Sequence, residues 1–100
     1  MKNNNQIAII GLGYVGLPLA VEFAKKYMVV GFDINIQRTA ELNKGKDNTL
    51  EVSSLNLKKV LLDQDEGLSN NKSGLVISSN SEDISSANTY IITVPTPIDD

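Results

Sequence analysis

Three glycines and one acid stand at spacings that suit the binding of a dinucleotide. Gly11, Gly13 and Gly16 follow the apolar run 7–10, and Asp33 ends a second apolar run about twenty residues later. Gly11 allows a sharp turn out of a strand, and Gly13 lets the backbone approach a pyrophosphate. Gly16 lets the next helix pack closely on the sheet, with its N–H groups directed at the phosphates. This pattern predicts a dinucleotide-binding βαβ unit, although a glycine-rich turn without a ligand is the alternative.

Two charged side chains indicate which dinucleotide fits. Asp33 can accept hydrogen bonds from the adenosine ribose hydroxyls and would repel the additional 2′-phosphate of NADP. Arg38 falls in the first turn of the next predicted helix, near enough to lie along the adenine edge. The alternatives are a helix-capping role for Asp33 and a solvated helix charge for Arg38. The sequence therefore predicts NAD rather than NADP as the cofactor.

The elements that must hold this loop are present on both sides of it. The continuous apolar run at 7–10 is typical of a parallel strand that is covered on both faces. Over residues 15–27 the pattern changes to that of a helix, with large apolar residues at every fourth position and two alanines beside them (Val15, Leu19, Phe23 and Tyr27, with Ala20 and Ala24). The second strand follows at 28–32.

The rest of the chain continues the alternation of helix and strand. The pattern predicts a helix at 36–44, capped by Asn35 or Asp33, and a second helix at 52–62, capped by Ser53 or Ser54, with a polar connection at 46–51 between them. A loop at 63–73 follows. The remaining residues are predicted to form a strand at 75–78, a short helix at 81–88 and a strand at 89–94. With right-handed crossovers these elements form an α/β fold, a Rossmann-type doubly wound parallel sheet with its first four strands in the order 3-2-1-4.

The first and fourth strands flank the switch point of this sheet, where ligands bind. Residues 11–16 and 95–97 are therefore predicted neighbours, because each segment follows one of these strands. Thr96 would offer its hydroxyl and backbone to the portion of the cofactor between pyrophosphate and nicotinamide. The alternative for Thr96 is an ordinary threonine in the turn that ends a strand.

Composition excludes several classes of function. The chain has 100 residues, enough for one small domain, and a net charge of −3 without a basic cluster, so nucleic acid is not an expected partner. It has no cysteine and no histidine, which excludes disulfides, thiolate metal sites and most nucleophilic mechanisms. No apolar stretch approaches the roughly twenty residues of a membrane span. We therefore expect a soluble, cytoplasmic protein that does not bind membranes.

A close resemblance to the UDP-glucose/GDP-mannose dehydrogenase family is carried by two segments, IIGLGYVGLPLA at 9–20 and VPTP at 94–97. The segment GFDIN at 31–35, followed by Arg38, fits the same family. Residues 45–52 and 97–99 look most like bacterial UDP-N-acetylhexosamine 6-dehydrogenases, which make the uronic acid sugars of capsules and O-antigens.

The resemblance implies an NAD-dependent oxidation of a UDP-sugar C6 alcohol to a carboxylate, through an enzyme-bound aldehyde and thioester. It also implies roles for matching residues. Asp33 would take the adenosine ribose, Arg38 would lie by the adenine end, and Thr96 would contact the cofactor near the nicotinamide side. The pyrophosphate loop would consist of Gly11, Gly13, Tyr14, Val15 and Gly16.

The resemblance also implies what residues 1–100 lack. The family's nucleophilic cysteine, catalytic lysine and UDP-sugar site lie beyond residue 100, and this chain has no cysteine at all. We therefore expect residues 1–100 to be a truncated amino-terminal NAD-binding Rossmann domain with an incomplete sheet. Alone it would be inactive; the full-length enzyme would bind the UDP-sugar and form a homo-oligomer.

Two other functions fit a cofactor domain of this kind. One is another dehydrogenase, of the hydroxyacyl-CoA or 6-phosphogluconate type, which the segments YVGLP at 14–18 and VPTP at 94–97 disfavour. The other is a stand-alone module that senses NAD without chemistry, which the absence of cysteine and histidine would suit. The sequence of the parent protein after residue 100 separates these possibilities.

The predicted fourth strand generates a first test. Residues 90–94 would form an apolar edge of the sheet, and exposed edges pair with other chains. We predict that residues 1–100 self-associate through this edge or through neighbouring apolar surface. Sedimentation at high protein concentration measures this, and a strictly monomeric chain would contradict it.

Overall fold

The structure, a computed structural model, describes residues 6–47, 52–62, 73–85 and 87–93. The elements in these residues are β1 Gln6–Ile10, α1 Gly16–Ala24, β2 Met28–Phe32, α2 Ile36–Asn43, α3 Ser54–Val60, β3 Gly74–Ser78, a 3-10 helix Ser81–Ile84 and β4 Thr89–Ile92. All strand pairs are parallel, and the order is β3-β2-β1-β4. The predicted Rossmann-type sheet is therefore confirmed.

The register brings the carboxyl ends of the strands to one edge of the sheet. Ile10 at the end of β1 is aligned with Phe32 in β2 and with Ile92 in β4. The backbone pairing continues one residue further, because the Gly11 N–H donates to the Phe32 carbonyl and the Thr93 N–H donates to the Ile10 carbonyl, both at 2.8 Å. The loops that leave β1 and β4 therefore start side by side.

The core lies on both faces of the sheet. Alternate strand residues face the layer of helices and are at most 8% exposed (Ile7, Ile9, Val29, Leu75 and Ile77). The opposite face buries Met28, Val30 and Val76, with partly buried Leu62 and Ile84 packed against them. This double coverage is the reason that β1, β2 and β3 are nearly continuous apolar runs.

Helix α1 is shorter than predicted and packs through a different set of side chains. It spans Gly16–Ala24 instead of 15–27. Its buried residues are Gly16, Leu17, Ala20, Val21 and Ala24, whereas the large side chains at every fourth position lie half-buried or exposed beside them. Small residues at the centre of the contact let the helix lie close to the sheet, so the bulky ones are left at its margins.

Helix α2 is capped by Asn35, the residue before its start at Ile36. The Asn35 side chain accepts the Arg38 N–H at 3.2 Å, so Asn35 is the cap of the two that were predicted. Its end is followed by Gly45 at a φ of +82°, as expected for the residue after a helix.

Helix α3 is also shorter than the predicted 52–62. Ser53 caps it by accepting the Asn56 N–H, and the helix ends at Val60. Leu61 then forms a parallel bridge with Leu75, and the Leu62 N–H donates to the Leu75 carbonyl at 2.8 Å. Pairing with β3 therefore replaces the last helical turn that the apolar pattern predicted.

The segment before β4 is a 3-10 helix instead of a helix reaching residue 88. Asn80 caps it through its side chain. Asn88, the residue before β4, is held against the start of β1. Its side chain accepts the Gln6 N–H at 2.8 Å, and its own N–H donates to the Gln6 carbonyl at 2.9 Å. Asn88 therefore sets the register of β4 on β1. The predicted strand reached Val94, which lies outside the described residues.

Strand β4 forms one edge of the described sheet, and it is the most exposed strand. Tyr90 is 47% exposed and Ile92 is 68% exposed. These exposed apolar side chains lie on the edge strand through which the sequence predicts self-association. That association stays a prediction.

A matched pair of leucines in α3 tests the packing. Leu57 is fully buried, whereas Leu55 is 67% exposed. Leu57→Ala leaves a cavity, so we expect a loss of about 2–5 kcal/mol in the free energy of unfolding. Leu55→Ala should change it by less than about 0.5 kcal/mol. Chemical denaturation followed by circular dichroism measures both, and equal effects of the two substitutions would contradict the assigned helix face.

Candidate cofactor site

The candidate site lies at the carboxyl ends of β1, β2 and β4, around a glycine loop formed by residues 11–16. Gly11 leaves β1 with a φ of +99°, which L side chains rarely adopt. A Cβ at this position would also lie 2.4 Å from the Thr93 carbonyl oxygen. Both backbone conformation and space therefore require glycine where the chain turns out of β1.

Gly16 is the point of closest approach between the loop and the helix that follows it. A Cβ at Gly16 would lie 1.7 Å from the Gly11 carbonyl oxygen and 2.7 Å from Thr93 Oγ1. The first residue of α1 is therefore packed directly on the turn that leaves β1. This arrangement agrees with the close helix packing that the motif predicts for its third glycine.

Gly13 has the opposite environment. It is exposed, and a Cβ placed on it would meet no heavy atom of the described residues within 4 Å. Neither its conformation nor protein packing requires glycine there, so the open space above it is the feature that distinguishes this position.

The open space adjoins the start of α1. The Leu17 N–H donates to the Gly13 carbonyl, and Val15, the residue before the helix, makes no side-chain capping hydrogen bond. Backbone N–H groups at the start of a helix lack intrahelical acceptors, and the helix dipole favours an anion there. Tyr14 and Val15 are 68% and 58% exposed, so two apolar side chains border this position.

Leu12, the residue between the first two glycines, anchors the loop in the core. Its side chain is fully buried. It lies over β2 at Gly31, where a Cβ would come within 3.0 Å of Leu12 Cδ2. The sequence motif leaves this position unspecified. Its apolar character and the glycine in the facing strand were the available signals.

Asp33 lies against the glycine loop. Its Oδ2 accepts the Leu12 N–H and its Oδ1 accepts the Asn35 N–H, both at 2.9 Å. Because Asn35 caps α2, the helix-capping alternative for Asp33 is wrong. The carboxylate instead connects the end of β2 to the loop that follows β1.

Arg38 also reaches the loop, and the alternative of a solvated helix charge is wrong. Its side chain is only 11% exposed. Nε donates to the Leu12 carbonyl at 2.8 Å, and Nη1 pairs with Asp47 Oδ1 at 2.9 Å. Asp47, fully buried at its side chain, was not singled out from the sequence, because no regular spacing connects it to the motif.

Thr93 is a further contact residue that the sequence reasoning missed. Its hydroxyl is 2.8 Å from the Gly11 carbonyl and 3.2 Å from the Ile10 carbonyl, and it donates to both. The end of β4 is thereby connected to the glycine loop, whereas residues 95–97, the predicted neighbours of this loop, lie outside the described residues. Thr96 itself lies outside the described residues, so its contact with a cofactor stays a prediction.

Other kinds of site are not indicated in the described part of the chain. Residues 6–47, 52–62, 73–85 and 87–93 contain no group of three or more His, Cys, Asp or Glu side chains placed to hold a metal ion. Within the same ranges, every helix is too short or too polar to cross a bilayer.

Two proteins are similar to this chain over almost its whole length. The chain is 50% identical over 95 residues to a UDP-N-acetyl-D-glucosamine 6-dehydrogenase of Pseudomonas aeruginosa, and the match covers 95% of this chain and 20% of that protein. It is 45% identical to Protein CapL of Staphylococcus aureus, with 96% of this chain and 20% of that protein covered. The chain therefore spans about 20% of the length of these relatives.

Solved structures show the same fold. The UDP-D-ManNAc dehydrogenase of Pyrococcus horikoshii superposes with a TM-score of 0.73 at 38% identity, covering 94% of this chain and 21% of that one. A GDP-mannose dehydrogenase of Pseudomonas aeruginosa, solved as a ternary complex, gives a TM-score of 0.69 at 23% identity, covering 91% of this chain and 20% of that one.

The family assignment rests on the sequence of almost the whole chain. Residues 5–100 match the family model described as UDP-glucose/GDP-mannose dehydrogenase family, NAD binding domain. The two glycine contacts, the helix start and the acid after β2 are the features that an NAD-binding domain needs. The chain therefore belongs to the UDP-glucose/GDP-mannose dehydrogenase family, of which it carries the NAD-binding domain.

Proposed function

We propose that the glycine loop and Asp33 hold NAD, and that residues 1–100 are the amino-terminal cofactor domain of an NAD-dependent UDP-N-acetylhexosamine 6-dehydrogenase. The main observation that supports this binding site is the open space at Gly13 beside the start of α1. No described residue fills that space, and a bound pyrophosphate would explain why a side chain is missing there.

The pyrophosphate fits this space for electrostatic and steric reasons. The start of α1 contributes N–H groups and the positive end of the helix dipole, and a bare Gly13 lets the phosphate oxygens come close. Tyr14 and Val15 border the same position with exposed side chains. Gly11 and Gly16 act indirectly, because they allow the turn and the helix start to adopt this arrangement.

Asp33 fits the adenosine ribose. A carboxylate has about four acceptor positions, and the N–H groups of Leu12 and Asn35 occupy two. Ribose hydroxyls can donate to the others, whereas a 2′-phosphate would bring negative charge against the carboxylate. Arg38 stands at the adenine end in this proposal, and Thr96 contacts the nicotinamide side.

The proposed reaction follows from the relatives. The similarity to two UDP-N-acetyl-D-glucosamine 6-dehydrogenases, each 50% identical, supports oxidation of a UDP-sugar C6 alcohol to a uronic acid. NAD, when bound, accepts the hydride. The residues described above bind and orient the cofactor, and the catalytic residues belong to a longer protein. The hydroxyacyl-CoA and 6-phosphogluconate alternatives do not agree with the family assignment.

The proposed setting is the cytoplasm of a bacterium, where the enzyme, a homo-oligomer, supplies uronic acid sugars for a capsule or O-antigen. The similarity to Protein CapL supports the capsule as a destination. NAD is available in the cytoplasm, which supports that location.

Asp33→Ala tests the cofactor role. We expect NAD binding to weaken by about 1–3 kcal/mol, because charge-assisted hydrogen bonds to the ribose are lost. The preference for NAD over NADP should narrow as well, since the repelling charge is removed. Isothermal titration calorimetry with both cofactors measures this.

The matched control is Glu22→Ala, which removes the same charge from an exposed position on α1. It should bind NAD as the wild-type chain does. Equal affinity of the wild-type chain for NAD and NADP would show that Asp33 does not have the proposed role.

Two glycine substitutions separate the cofactor space from protein packing. Gly13→Ala should change the free energy of unfolding by less than about 0.5 kcal/mol, because nothing surrounds the new methyl group. It should nevertheless weaken NAD binding, since the methyl group occupies the proposed pyrophosphate position. Gly16→Ala should destabilise the fold by about 3 kcal/mol or more through overpacking. Denaturation and calorimetry measure both effects, and unchanged NAD affinity in Gly13→Ala would place the cofactor elsewhere.

A further inference from the structure

The backbone of Leu12 is held from both sides by opposite charges. Its N–H donates to Asp33 Oδ2 at 2.9 Å, and its carbonyl accepts from Arg38 Nε at 2.8 Å. Its side chain is fully buried in the core. Three independent contacts therefore determine the position of the residue that immediately precedes Gly13.

The direction of the Leu12 carbonyl also determines that of the Gly13 N–H. These two groups belong to one planar trans peptide unit, in which the C=O and N–H bonds point in opposite directions. Because the carbonyl is directed at Arg38, the Gly13 N–H is directed away from Arg38. The hydrogen bond from Arg38 therefore orients one of the backbone donors of the glycine loop.

Asp47 determines where the Arg38 guanidinium can lie. Asp47 Oδ1 pairs with Arg38 Nη1 at 2.9 Å, and its Oδ2 accepts the Val52 N–H at 3.0 Å. The guanidinium is planar and its donors stand in a rigid fork, so a fixed Nη1 also fixes the direction of Nε. The Asp47 side chain is completely buried and that of Arg38 is 11% exposed, so solvent screens this pair little.

We propose that Asp47 is a positioning residue for the cofactor loop. It orients Arg38, Arg38 holds the Leu12 carbonyl, and the Leu12–Gly13 peptide is thereby preset for the pyrophosphate. This inference rests on the proposed function for its NAD readout, but the position of the loop can be measured without NAD. A purely structural ion pair would contribute to stability alone, which is the competing explanation.

The double variant Arg38→Met with Asp47→Asn separates the two explanations. It removes both charges together, so no uncompensated charge remains buried, and the amide oxygen of the introduced asparagine can still accept the Val52 N–H. Removing both members of a buried pair often has little effect on stability, whereas removing one is strongly destabilising. Among the contacts of the described residues with the glycine loop, this variant removes the Arg38 donor to the Leu12 carbonyl.

We expect the double variant to unfold at nearly the wild-type temperature while the loop changes. In ¹H–¹⁵N spectra without NAD, the Gly13 amide resonance should shift or broaden. NAD should bind about tenfold more weakly by calorimetry. A Gly13 resonance at its wild-type position, or wild-type NAD affinity in the folded double variant, would overturn the proposal.

Asp47→Asn alone provides a second, independent variant. Because it leaves the Arg38 charge without this carboxylate, it should unfold at a lower temperature than the wild-type chain, and it is therefore measured well below its own unfolding temperature. This variant isolates the contribution of Asp47. It keeps the side-chain volume and one acceptor oxygen but loses the charge that orients Arg38. The same shift of the Gly13 resonance and weaker NAD binding are expected, and wild-type values for either would overturn the proposal.

The matched control is Lys25→Met with Glu22→Gln, which also removes one positive and one negative charge, but from an exposed ion pair at the end of α1. It should leave the Gly13 resonance and NAD affinity unchanged, and a tenfold loss in this variant too would show that the effect is not specific to the Arg38–Asp47 pair. If the wild-type chain does not bind NAD, the proposed function fails, whereas the spectra without NAD still test the action of Asp47 on the loop.

Discussion

The contact between the Gly16 backbone and the Gly11 carbonyl governs how helix, turn and sheet pack together in this protein. A Cβ at Gly16 would lie 1.7 Å from that oxygen, so the helix start and the turn can meet only without a side chain. The contact sets the distance between α1 and the sheet, which the small residues Ala20 and Ala24 then preserve along the helix. Thr93, the residue after β4, also contacts this turn, because its hydroxyl donates to the Gly11 carbonyl.

Next to this contact, two oppositely charged side chains bind the same short stretch of backbone. Asp33 and Arg38 come from β2's end and from α2, yet both bind the backbone of Leu12. The loop therefore takes its shape when the protein folds, and it does not have to be ordered when a ligand arrives. Such preorganisation improves affinity because less conformational entropy is lost on binding. The backbone of the loop is held on both sides of Leu12, and among the described residues no heavy atom lies within 4 Å of a Cβ placed on Gly13.

Local patterns predicted those features that depend on residues near one another in the chain. The three glycines, the apolar strands and Asp33 follow from short spacings, and the order of elements was enough to predict a 3-2-1-4 sheet. Helix boundaries were less predictable. Leu61 and Leu62 continue the apolar pattern of α3, but pairing with Leu75 takes them out of the helix. Helix propensity is a property of the local sequence, so it does not reflect competition from a strand that lies further along the chain.

Glycine spacing and an acid after the second strand are direct chemical requirements of a dinucleotide, so the amino-acid sequence was enough to predict the class of fold, the family and the kind of ligand. The contacts of the charged residues, in contrast, follow from the folded chain. From its position in the sequence Arg38 fits either a solvated charge or an adenine contact, and the fold holds it between Leu12 and Asp47. Asp47 and Thr93 acquire their roles from chain segments that meet only after folding, and no local pattern encodes such a meeting.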